Sequence, residues 1–243
     1  MTIFLTSSPS GSYRQENKRF PCELDNRNHF ADALRQRWNG PARLLLLAAS
    51  PDDFAVNDSI RNIFSQAFPM TGLPVASFDI CDHRDTSPAH RLQDYDVLIL
   101  GGGHVPTQNA FFKEIRLREE LQRFAGMVIG ISAGTMNAAD VVYVQPELPG
   151  ESDPSFPRFT QGLGLTDVML LPHFQEVRND ILDGKRLFED ITFADSFGQV
   201  FCALEDGSYL LIENGETTLC GAAWMISNGV MEKINRDEDI TRL

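Results

Sequence analysis

Apolar residues fall in short unbroken runs through the first two-thirds of the chain. Arg43–Ala49 reads Arg-Leu-Leu-Leu-Leu-Ala-Ala, Asp96–Leu100 reads Asp-Val-Leu-Ile-Leu before three glycines, and Met127–Ile131 leads into Ser132. Runs of this length without polar alternation suit strands buried on both faces of a parallel sheet. Ile3–Leu5, Val75–Cys81 and Val168–Leu171 read as further strands. Between them the spacing turns helical: Phe30, Leu34 and Trp38 before the stop Asn39-Gly40-Pro41, then Ile60, Ile63, Phe64 and Phe68 behind a cap at Asn57 or Asp58. Helices are also expected over Gln108–Phe124 and Asn179–Asp190. Residues 7–28 read as a loop, and residues 145–162 as a polar, proline-rich excursion.

From Val200 the period changes. Val200–Leu204, Tyr209–Ile212, Thr217–Cys220, Ala222–Ile226 and Val230–Ile234 are short strands, punctuated by Asp206-Gly207, Asn214-Gly215 and Asn228-Gly229. The expected fold is therefore α/β. A three-layer sandwich with a mostly parallel central sheet flanked by helices is followed by a C-terminal antiparallel β-meander, all in one domain over residues 1–243.

Composition narrows the function classes. A net charge of −13 disfavours nucleic acid as a partner. No run approaches a membrane span, and the first residues lack the basic start of a signal peptide, so the expected location is cytoplasmic. Cys22, Cys81, Cys202 and Cys220 are scattered without metal-ligand spacing, and the last three, in apolar strand-like runs, read as buried thiols of a reducing compartment. Nothing calls for a metal or cofactor.

The chemistry centres on Gly130-Ile131-Ser132-Ala133-Gly134. An apolar strand running into Gly-x-Ser-x-Gly is the pattern of a nucleophile elbow, in which glycines permit a tight strand-to-helix turn. A serine nucleophile needs a base oriented by a third group. Of the five histidines, His173 follows a predicted parallel strand and lies at the same sheet edge as Ser132. Glu205 and Glu147 compete as the orienting acid; Glu205, at a strand end, is the choice. The Ala133 amide and an amide of Gly101-Gly102-Gly103 would stabilise the oxyanion.

These motifs, with Gly-Leu-Gly-Leu at 162–165, Pro-His-Phe at 172–174 and the closing Leu-Glu-Asp-Gly-Ser-Tyr, resemble the serine peptidase family of peptidase E (aspartyl dipeptidase) and cyanophycinase. The resemblance implies a class I glutamine-amidotransferase-like fold. It also implies a triad of Ser132, His173 and Glu205, with Gly103 and Ala133 as oxyanion donors. His104 stands where the family usually has Asn or Asp, which makes it, with Gly102, a substrate-binding candidate; residues 143–159 depart from the family pattern, and Glu147 in that loop is a further candidate at the cleft. A pocket for an N-terminal aspartate would need a cation; Arg158, Arg178, Lys185 and Arg186 are candidates, with Arg178 the one carried forward. The implied activity is hydrolysis of small peptides through an acyl-enzyme, with a homodimer compatible as the assembly. An esterase or amidase, or a non-catalytic binding protein on the same scaffold, are the alternatives.

Overall fold

The computed structural model describes residues 1–16 and 18–243. Its larger sheet has eight strands in the order Ile240–Arg242, Glu216–Cys220, Tyr209–Glu213, Thr2–Thr6, Met127–Ile131, Val97–Leu100, Ala42–Leu47 and Val75–Cys81. The last five are mutually parallel, and the first three are antiparallel additions beside Thr2–Thr6. The leucine run explains how the sheet is covered. Leu44 and Leu46 face a layer containing Phe30, Leu34 and Phe68, while Leu45 and Leu47 face Phe111, Phe112, Leu117 and Leu121. All four leucines are fully buried, and each contributes on the order of 2 kcal/mol by leaving water.

The C-terminal antiparallel strands are present and divide between two sheets. Val200–Leu204, Ala223–Ser227 and Val230–Asn235 join Met169–Leu171 in a second, four-stranded sheet. That sheet has its own core, including Tyr143, Phe174, Phe188 and Phe201. The partition matters for the site, because it brings the strand preceding His173 and the strand preceding Glu205 and Asp206 side by side.

Four local expectations are corrected. Residues 7–28, apart from Asn17 outside the described residues, contain the hairpin Ser10–Gln15 and Lys18–Leu24 instead of a loop. The hairpin docks on the helix Phe54–Met70, which begins earlier than expected, with Asp53 accepting from the Val56 amide. Gly11 permits the approach, since a Cβ there would lie 2.9 Å from Leu24 and 3.2 Å from Ala67. The stretch 179–190 is not a helix. Asp183-Gly184, both at positive φ, turn Ile181–Leu182 back on Lys185–Arg186, and a π-helical turn covers Leu187–Thr192. The expected helix 108–124 is two helices, Val105–Glu114 and Leu117–Leu121, broken at the left-handed Arg116. Among the described residues no helix is long and apolar enough to cross a membrane.

Candidate active site

Ser132 occupies a strained turn between the strand Met127–Ile131 and the helix Ala133–Asn137, at φ 51°, ψ −113°. A non-glycine residue keeps such angles only when its surroundings overdetermine them. Those surroundings are visible. The Ser132 amide donates to the Thr6 carbonyl at 3.2 Å, the Thr135 hydroxyl donates to the same oxygen at 2.8 Å, and the Thr6 hydroxyl donates to the Gly130 carbonyl at 2.9 Å. The outer glycines are steric necessities. A Cβ at Gly130 would lie 3.0 Å from both Leu5 and Thr135, and one at Gly134 would overlap the Leu100 carbonyl.

The adjacent strand Val97–Leu100 delivers the glycine loop to the same edge. The Gly101 amide donates to the Leu47 carbonyl at 3.0 Å, and its carbonyl accepts from the Gln108 side chain at 2.7 Å. Gln108 in turn accepts from Asn137 at 3.0 Å. Both side chains are fully buried, so the glycine loop is braced to the elbow helix. Gly103 and Ala133 line a cavity of about 240 Å³ together with Ser132 and His173. The Ser132 amide is occupied by Thr6, whereas Ala133, in the first turn of its helix, has no intrahelical acceptor.

His173 follows the strand Met169–Leu171 and sits in left-handed backbone at φ 59°. Its Nδ1 lies 2.8 Å from Asp206 Oδ1. This corrects the choice of Glu205. The Glu205 amide donates to the Ala222 carbonyl, continuing the ladder, and its carboxylate accepts from the Trp224 indole at 3.1 Å. The next residue leaves on the opposite side, as successive strand residues do, and that residue is Asp206. The other candidate acid, Glu147, lies at the rim of the Ser132 cavity.

Asp206 is held by residues with no motif to announce them. The Ser7 hydroxyl donates to Asp206 Oδ1 at 2.7 Å and accepts from the His173 amide at 2.7 Å. Gln175 accepts from the Asp206 amide at 2.9 Å. Ser7 could have been suspected from register, because Thr6 pairs with Ile131 and places Ser7 level with Ser132.

The electrostatics follow from this geometry. Burial opposes protonation of His173, but the hydrogen bond and charge of Asp206, with Glu176 and Glu147 nearby, outweigh it and raise its pKa. Burial alone would raise the Asp206 carboxyl, but the bonds from His173 and Ser7 hold it below its ordinary value. Glu147 reaches solvent on one side, while the surrounding chain desolvates it enough to raise its carboxyl pKa. His173, Glu176 and Asp206 form the one group among the described residues whose ligand atoms lie within 4.8 Å of one another. Two of its three members are already hydrogen-bonded to each other.

His104 is engaged elsewhere. Its ring nitrogens meet Thr107 and Glu151, each at 2.8 Å, and Glu151 accepts from the Glu147 and Leu148 amides at 2.9 Å. His104 thus clips the proline-rich loop over the cleft and shapes the rim that carries Glu147. Gly102 lines a second cavity on the other side of Ser132. Arg178 lies outside both cavities, with its guanidinium 5.5 Å over the Phe174 ring. Arg158 pairs with Asp195 at 3.0 Å, Arg186 with Asp190 at 2.6 Å, and Lys185 donates to the Ser152 carbonyl at 3.0 Å. None of these four cations lines a cavity at Ser132.

The model of peptidase family S51 matches residues 24–220. The chain belongs to peptidase family S51. It is a serine-type peptidase with the peptidase E architecture. Its structure is similar to that of a peptidase from an acI-B1 Actinobacterium, with a TM-score of 0.62 and 15% identity over 100% of this chain and 96% of that one. It is also similar to a putative peptidase E protein from Listeria monocytogenes EGD-e, with a TM-score of 0.55 and 16% identity over 96% of this chain and 98% of the other. No curated protein matches the chain.

Proposed function

We propose that this S51 peptidase is a dipeptidase or exopeptidase acting through Ser132, His173 and Asp206. His173 takes the Ser132 proton on Nε2, the nitrogen left free by Asp206, as Oγ bonds to the peptide carbonyl carbon. The resulting oxyanion is stabilised by the amides of Gly103 and Ala133. Collapse breaks the C–N bond, and His173 returns the proton to the departing amine. Water then repeats the sequence on the acyl-enzyme and releases the acid. Asp206 holds the imidazole in the Nδ1–H tautomer and stabilises the imidazolium that forms at each step.

The observation that carries this reading is the hydrogen bond of 2.8 Å from His173 Nδ1 to Asp206, with His173 lining the same cavity as the strained Ser132. Amine release from a panel of dipeptides and longer peptides tests it. Wild type should cleave a subset, and Ser132→Ala should lose at least ~10³-fold in rate. Turnover that survives Ser132→Ala would refute the assignment.

A further inference from the structure

Two cavities meet at Ser132 and His173, and their charges are opposite. The first carries Gly103 and Ala133, has mostly apolar walls that include Met136, Leu182 and Leu187, and holds Glu147 and Asp180 as its only charged groups besides His173. The second, about 340 Å³, lies between the N-terminal hairpin and the helix Phe54–Met70. It is lined by Ser8, Ser10 and Ser12, and among the described residues its only permanent charge is Arg19. Arg19 has no carboxylate partner among the described residues and stands directly across the hairpin from a second cation, Arg14, which has none either. Like charges opposite one another destabilise a strand pair unless an anion relieves them.

We propose that the substrate lies across Ser132 as a zwitterion. Its N-terminal residue, apolar and with a free ammonium, occupies the first cavity with the ammonium at Glu147. Its free carboxylate occupies the second cavity at Arg19 and the neighbouring serine hydroxyls. The direction follows from Gly103 and Ala133, which line the first cavity and so place the acyl half there. The substrate class is a dipeptide with an uncharged apolar first residue. An N-terminal aspartate is disfavoured, because its side chain would meet Glu147 and Asp180 with no lysine or arginine among the described residues lining that cavity. This inference rests on Ser132 being the nucleophile.

The test compares Leu-Ala with Leu-Ala-amide, N-acetyl-Leu-Ala and Asp-Ala, using wild type, Arg19→Gln and Glu147→Gln, with fluorophosphonate labelling of Ser132 in parallel. Wild type should favour Leu-Ala over all three in kcat/KM. Arg19→Gln should shrink the preference for carboxylate over carboxamide at least about tenfold, mainly through KM, and Glu147→Gln should do the same to the preference for free over acetylated ammonium. Labelling of Ser132 with unchanged preferences in both variants, or with Asp-Ala as the better substrate, would overturn the clamp and leave the nucleophile intact. An unlabelled Ser132 with no turnover of any peptide would overturn both.

Discussion

Replacing Asp206 by asparagine separates the two adjacent acids. Among the described residues Asp206 is the only carboxylate hydrogen-bonded to His173, and its side chain is 17% exposed. The substituted carboxamide would be neutral and could not hold the imidazolium, so a loss of about 10³-fold in kcat is expected, equal to about 4 kcal/mol at 1.36 kcal/mol per tenfold. Glu205→Gln keeps an oxygen for the Trp224 indole and gives up only an exposed contact with Lys233 at 3.8 Å. Its kcat should stay within about threefold of wild type. The pH profile adds an independent reading. The base must be neutral, and the folded His173 pKa is raised above 6.5, so wild-type kcat/KM should fall as pH drops through a value above 6.5. Removing the Asp206 charge takes away the main influence that offsets burial and leaves only Glu176 and Glu147 to do so, so the acid limb of Asp206→Asn should move to lower pH. The assay is dipeptide hydrolysis from about pH 5 to 9. Equal losses in the two variants, or an acid limb unmoved in Asp206→Asn, would refute the assignment.

The remaining predictions concern the frame around the site. Gly134→Ala would drive a methyl into the Leu100 carbonyl, costing about 3 kcal/mol or more and lowering the melting temperature by roughly 6–12 °C in a scanning calorimeter. Asn137→Leu would strip the Gln108 and Asn109 side chains of a buried partner, costing about 3 kcal/mol by urea unfolding and slackening the glycine loop, with a fall in kcat larger than any rise in KM. Stability should itself depend on pH through the central pair. The Asp206 contribution is present above the ordinary carboxylate range and fades as pH falls through its lowered pKa. The His173 contribution is full below its unfolded pKa and fades as pH rises through its raised one, so the pair stabilises most at mildly acidic pH.

How much of this was legible in the sequence follows from which interactions are local. The leucine run at 44–47 and the Gly-x-Ser-x-Gly turn announce themselves because burial on both faces and a strained turn each restrict the residue types at fixed spacing. His173 was legible because it follows a short apolar strand, although that strand belongs to the second sheet and brings His173 to the Ser132 cavity from there, not along the edge that carries Ser132. Asp206 was not legible beside the expected candidates Glu205 and Glu147, because its role turns on the side to which a strand's last residue points, and that depends on the cross-strand partner Ala222. In the sequence the Asp206-Gly207 pair carries a turn signal, which masks the carboxylate's chemistry. Ser7 carries no motif, and its role arises from a chain separation of 199 residues. The hairpin 10–24 was missed because its residues are largely polar and its docking depends on the absence of a side chain at Gly11.

The central claim is a Ser132 nucleophile activated by His173 and Asp206. Intact mass after brief exposure to a fluorophosphonate, with peptide mapping, tests it most directly. The account predicts one adduct per chain, on Ser132, forming at least ~10²-fold more slowly in His173→Ala and also slowed in Asp206→Asn. An adduct on another residue, or labelling of Ser132 at an unchanged rate without His173, would contradict it.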